Sequence, residues 1–228
     1  MARNVARILE CSAVARWIIV SVALFVGLTF SKSDWALDVM ITPSMGSVET
    51  VHQGKKVVVQ RNQDRRHTVR PFFTYTSRRC PPFCLQPIVA APGVETYGEL
   101  EVLNVLERLG KGDDSVILVD ARTAQWPKRG MIPGAVNIPW SEFDVDSEAE
   151  LFDKVFRPYF NVKMTDGALD FSDATTVIVY CNGIWCSQST NAIDALLEVG
   201  YPAEKLKWYR GGMQDWESAG LTTVVGGQ

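Results

Sequence analysis

Histidine is nearly absent: His52 and His67 are the only two in 228 residues. Neither lies in the C-terminal two thirds, so that region offers no Ser/His/Asp set and no metal cluster. Five cysteines are too few for a disulfide-stapled miniprotein, which makes their spacing matter more than their number. No long membrane-spanning run stands out; the uncharged stretch from Trp17 to Phe30 would reach only about 21 Å as a helix, against ~30 Å of hydrocarbon. Internal repeats and a phosphate-cradling Gly-rich loop are missing too. A pI near 5.5 argues against a dedicated nucleic-acid binder. What is present is a 46% hydrophobic composition, that of a globular protein, with length for one full domain and an appendage or for two small domains.

Charge divides the chain into three zones. Residues 1–30 carry a net +2, residues 31–90 a net +5 and residues 91–228 a net −10. A basic segment ahead of an acidic domain implies intramolecular docking or a basic face for an anionic partner. At the start, Arg3, Arg7 and Arg16 precede the apolar run, the layout of an export signal or signal anchor over residues 1–30. Positive charge upstream keeps the N-terminus inside, so the remainder is expected to be extracytoplasmic, in the periplasm or cell envelope. Membrane association would run through residues 17–30.

Residues 31–93 read as a basic extension. Val48–Val51 and Lys55–Gln60 are β-like runs around Gln53-Gly54, which predicts a hairpin. Phe72, Phe73 and Tyr75 form an aromatic patch ahead of Cys80-Pro-Pro-Phe-Cys84. With no second close cysteine pair in the segment, a disulfide or an unpaired structural thiol pair is favoured over half a metal site. Pro81, Pro82, Pro87 and Pro92 make the end of the extension an extended strap.

From Val94 onward the pattern alternates between helix and strand. A helix is expected from Val94 to Gly110, with Thr96 and Glu99 as a capping box and Leu100, Leu103, Val105, Leu106 and Leu109 as its apolar stripe. Three continuous apolar runs follow: Val116–Val119 ending in Asp120, Val177–Tyr180 ending in Cys181, and Leu206–Tyr209 ending in Arg210. Such runs, separated by helical patterns, indicate a parallel sheet flanked by helices. Ser147 and Glu150 cap a further helix through Phe156, Asp166-Gly167 turns a small hairpin, and Ser187–Val199 forms the helix after Cys181. Asp120, Cys181 and Arg210 therefore share the carboxyl edge of the sheet, where open α/β folds bind ligands. A thiol at a helix start meets N–H donors that favour its thiolate.

Residues 94–228 resemble a rhodanese-type sulfurtransferase domain. Three segments carry the likeness: VILVDART with GMIPGAVNIPW, VIVYCNGIWCSQS, and LKWYRGGMQDWESAGL. The resemblance implies the rhodanese-like α/β fold, here preceded by a small β-rich extension, and a sulfurtransferase whose Cys181 carries sulfane sulfur as a persulfide. It implies a substrate-binding loop of Asn182, Gly183, Ile184, Trp185 and Ser187, completed by Arg210, with loop N–H groups around the outer sulfur and no metal or cofactor. Partners would be a small-molecule sulfur donor and a thiol acceptor, either a small molecule or a protein. Cys186 departs from the pattern, since many members have Arg there; this removes a clamp for thiosulfate and introduces a candidate resolving thiol. Arg122 reads as a structural ion-pair partner, and Trp185 as an apolar wall at the mouth. Other readings are a thiol–disulfide or persulfide redox protein using Cys181 with Cys186, and a non-catalytic binding module. A phosphatase is disfavoured, because the loop has no Arg after Cys181.

Overall fold

A computed structural model describes residues 38–144 and 147–226. The Arg-flanked apolar run, Trp17 to Phe30, lies outside the described residues. Among those described, no helix is long and apolar enough to cross a membrane.

The core is a five-stranded parallel sheet. Its strands are β3 (Glu95–Tyr97), β4 (Val116–Asp120), β5 (Val136–Asn137), β8 (Thr176–Tyr180) and β9 (Leu206–Tyr209), in the order β3-β9-β8-β4-β5. The apolar runs β4, β8 and β9 sit side by side in the middle, because strands covered on both faces can hold continuous Val, Ile and Leu. Helix α1 (Glu99–Gly110) covers one face, where Leu103 and Leu106 meet Leu118, Ile178, Met213 and Trp216. Helix α3 (Gln188–Glu198) covers the other, with Ala192, Ile193 and Leu196 packed among Val177, Val179, Phe156 and Trp208. That second face also receives α2 (Glu148–Leu151). It starts at Ser147, whose Oγ accepts from the Glu150 amide at 3.2 Å, and widens into π-type turns over Phe152–Phe160. Helix α4 (Gly212–Ser218) follows β9 directly. The hairpin of β6 (Lys163–Thr165) and β7 (Ala168–Asp170) turns at Asp166-Gly167 as expected.

The helix expected from Val94 starts later. Glu95–Tyr97 is strand β3, paired to β9, and α1 begins at Glu99 behind Gly98, whose amide donates to Glu101 Oε2 at 2.9 Å. Thr96 does not cap; its hydroxyl donates to the Ile88 carbonyl at 2.6 Å. Leu100, in the first turn, is 52% exposed and lies outside the stripe, while Val102 belongs to the core. A three-residue edge strand is held by its neighbour, not by local propensity, so pattern alone reads it as the first turn of the helix.

The hairpin of β1 (Ser47–His52) and β2 (Lys55–Gln60), turning at Gln53-Gly54, does not stand apart from the sheet. Val48, Val59 and Phe73 lie in the same apolar cluster as α1 and Trp216. Polar ties join this region to the far end of the chain: Gln60 with Thr222, Arg61 Nε to the Ala219 carbonyl, and an Arg70–Glu217 ion pair. The basic segment thus docks on the acidic domain, and the described residues form one compact unit. The closest approach is at Gly110, where a Cβ would lie 2.4 Å from the Glu49 carbonyl oxygen. Gly110→Ala must push the hairpin away, and should cost about 1–3 kcal/mol by overpacking. A fall in the urea midpoint of unfolding at unchanged m-value is the expected outcome; an unchanged midpoint would mean that the hairpin is loosely held.

Candidate active site

Cys181 follows the last residue of β8 and is 2% exposed. The loop after it reverses sharply: the Cys186 amide donates to the Gly183 carbonyl at 2.9 Å, and α3 begins at Gln188. Two supports fix this loop. From α4, the amides of Met213 and Gln214 donate to the carbonyls of Cys181 and Asn182, both at 3.0 Å. This approach requires glycine at 212, where φ is +54° and a Cβ would lie 2.4 Å from the Cys181 carbonyl oxygen.

The second support is a buried ion pair. Arg122 donates from Nε to Asp120 Oδ1 at 2.8 Å and from Nη2 to Oδ2 at 2.6 Å. Its Nη2 also reaches the Gly130 carbonyl at 2.8 Å, and its Nη1 reaches Asn182 Oδ1 at 3.4 Å. Tyr180 donates its hydroxyl to Asp120 Oδ2 at 3.1 Å and accepts the Ile132 amide. Burial pulls the Arg122 pKa down, but the Asp120 carboxylate outweighs it and the guanidinium stays charged. Arg122 is thus a structural partner of Asp120, as its place in the sequence suggests.

Around the sulfur, Cys181 Sγ lies 3.1 Å from the Cys186 carbonyl oxygen and 3.1 Å from Ser189 Oγ. The carbonyl contact belongs to the protonated thiol. Trp208 Nε1 donates to Ser189 Oγ at 3.0 Å. A thiolate only accepts, so toward the ionised Cys181 the Ser189 hydroxyl is the donor. Burial raises the Cys181 pKa, but hydrogen bonds from Cys186, from the Ser189 hydroxyl and from the amides of Ser189 and Gly183 overcome it and bring it down to about 7. Cys186 moves the opposite way: the neighbouring Cys181 sulfur and its burial push it up, and its Sγ donates to Gln188 Oε1 at 3.7 Å.

The expected loop residues gather here: Cys181, Asn182, Gly183, Ile184, Trp185, Cys186 and Ser187 form one turn. Arg210 is placed differently. Its Nε and Nη2 donate to the carbonyls of Pro87 and Gln86, at 2.8 and 2.9 Å, and so hold the strap. The strap in turn covers the loop: the Gln86 amide donates to the Ile184 carbonyl at 2.8 Å. Trp185 is buried, its Nε1 donates to Gln214 Oε1 at 2.5 Å, and its ring has Phe72 and Phe83 at 5.9 and 5.7 Å. The Arg78 guanidinium lies 3.7 Å from the Trp185 ring centroid. Cys80 and Cys84, flanking Phe83, are joined by a disulfide. Sequence reasoning missed Ser189, Gln214 and Arg78. Ser189 had a signal, a small polar residue in the first turn of a helix packed on the Cys181 strand; Arg78 had none.

The sheet and site define a class: an α/β domain with a single activated thiol between a central strand and the following helix. A family model for the rhodanese-like domain matches residues 103–219, just over half the chain, and the chain belongs to that family. A curated relative, an HTH-type transcriptional regulator of Mycobacterium tuberculosis, is 26% identical over 111 residues, which is 49% of this chain and 38% of that protein. The chain therefore spans well under half of that relative. Among solved structures, a human single-domain sulfurtransferase is 22% identical, covering 55% of this chain and 96% of that one at a TM-score of 0.38. A rhodanese-like domain from Anabaena is 20% identical, covering 59% and 80% at 0.37. A Rhodopseudomonas palustris protein of unknown function, described as a possible tyrosine phosphatase, is 19% identical, covering 59% and 88% at 0.42.

A thiolate alkylates and a thiol does not, so Cys181 should react slowly with iodoacetamide below pH 7 and reach its plateau above it. Ser189→Ala removes one donor to the thiolate and should move the midpoint up by about one unit. Rate–pH profiles of the two proteins check this. Coincident midpoints would show that the hydroxyl does not face the sulfur.

Proposed function

We propose that the protein is a sulfurtransferase that moves sulfane sulfur through Cys181. The observation that carries this reading is the buried Cys181 sulfur, drawn to a pKa of about 7 by hydrogen-bond donors at the strand–helix junction. In the first step the thiolate attacks the outer sulfur of a donor persulfide: Cys181–S⁻ + HS–S–R gives Cys181–S–SH + R–S⁻. In the second an acceptor thiolate attacks that outer sulfur: Cys181–S–SH + R′–S⁻ gives Cys181–S⁻ + R′–S–SH. No electron carrier is needed, since the sulfane sulfur travels at one oxidation level. Loop amides that stabilise the thiolate are the same groups that stabilise negative charge on the outer sulfur.

A resolving role would give Cys181–S–SH + Cys186–SH → Cys181–S–S–Cys186 + H₂S, and needs Cys186 as a nucleophile. Burial and the contact of its Sγ with Gln188 Oε1 at 3.7 Å hold Cys186 as the thiol, which works against that. Export remains part of the proposal: the Arg-flanked run precedes a domain whose Cys80–Cys84 disulfide suits an oxidising compartment. A C-terminal reporter that works only outside the cytoplasm should then be active, and activity confined to a cytoplasmic reporter would reverse the assignment.

Incubation with an organic persulfide should add one sulfur to Cys181 in the intact mass, removable by cyanide. Loading should vanish in Cys181→Ser and persist in Cys186→Ser, with the persulfide as long-lived as in wild type. Equal loading of Cys181→Ser would sink the sulfur-transfer reading, and a clearly longer persulfide lifetime in Cys186→Ser would restore the resolving role.

A further inference from the structure

Three guanidinium groups lie around the loop that follows Cys181. Two of them are occupied: Arg122, buried, by Asp120, and Arg210 by the carbonyls of Gln86 and Pro87. The third, Arg78, lies over Trp185 and is held by one hydrogen bond, from Nη2 to the Phe72 carbonyl at 2.6 Å. Its Nε is buried without a partner. Among the described residues, neither Arg78 nor the adjacent Arg79 has a carboxylate within ion-pair distance. Unpaired arginines side by side, one with a partly dehydrated fork, form a receptor for a planar anion.

These arginines line an open surface depression of about 410 Å³ together with Thr74, Tyr75, Thr76, Ser77 and Phe83. The inner wall is shared with the active-site loop, because Arg78 and Phe83 are the groups that lie on Trp185. The lining offers guanidinium groups for a carboxylate and the rings of Tyr75 and Phe83 for an apolar frame.

Resting on the sulfur-transfer reading, we propose that this cleft binds the donor: a carboxylate-bearing organic persulfide. Arg78 and Arg79 take its carboxylate, and Phe83 and Tyr75 take its carbon frame. Arg78 is the specificity-determining residue, supplied from outside the segment that matches the family. Sulfur then moves as above, Cys181–S⁻ + HS–S–R giving Cys181–S–SH + R–S⁻.

The test compares two donors that differ in one charge, N-acetylcysteine persulfide and N-acetylcysteinamide persulfide, on the full chain with its Cys80–Cys84 bond verified by mass. The second-order rate constant for sulfur loading on Cys181 should favour the acid about tenfold in wild type. That preference should fall towards one in Arg78→Ala, shrink in Arg79→Ala and return in part in Arg78→Lys. A wild-type ratio near one, or an unchanged ratio in both alanine variants, would overturn the cleft as donor site while leaving Cys181 chemistry intact. Loading by neither donor would instead remove the sulfur-transfer reading on which the cleft depends.

Discussion

Asp120 and Arg122 form a charge pair closed off from water at the end of a central strand, and much of the site's order hangs from it. Isolated, either charge would be strongly disfavoured there, so each fixes the other. The guanidinium has donors left over after meeting the carboxylate, and they bind Gly130 and Asn182. The carboxylate has acceptor capacity left over, and it binds Tyr180. One pair therefore registers β4, the residue preceding Cys181, the first residue of the active-site loop and the segment ahead of β5. Losing one partner would strand the other, at a cost of about 3–5 kcal/mol.

On this frame, the Cys181 sulfur is tuned by neighbours from different elements. Ser189 comes from the helix after β8, and Trp208, which donates to its hydroxyl, comes from β9. In the parallel register, Trp208 pairs with Val179, two residues before Cys181. The acidity of the thiol is thus a property of the sheet as a whole, not of the loop alone. The N-terminal extension adds a further layer, because the buried face of Trp185 is made by Phe72, Arg78 and Phe83.

The sequence made the centre of the sheet and the position of Cys181 plain, because β4, β8 and β9 are continuous apolar runs closed by chemically distinctive residues. The hairpins were equally plain, since Gln53-Gly54 and Asp166-Gly167 are local turn signals. Harder to read was everything decided by distant pairs. Strand β3 exists through Trp208 and its neighbours, so its three residues looked like helix. The extension looked like an appendage because its apolar residues are few and its partners, on α1 and beyond α4, are distant in the chain. Arg210 stood at the right edge of the sheet, yet the strap carbonyls claim it. Arg78 lay in a basic stretch with no periodicity and no motif.

The ties between the extension and the residues after α4 bear on how the protein is made. Gln60 meets Thr222 across 162 residues, and Arg61 meets Ala219 across 158. During synthesis the hairpin and strap emerge early, but their anchors around Glu217 to Thr222 come roughly 150 residues later, about ten seconds or more at ordinary translation rates. Over that interval Phe72, Phe73 and Phe83 have no Trp185 or Trp216 to cover. Until that end of the chain arrives, the polar ties that fasten the extension to the domain cannot form.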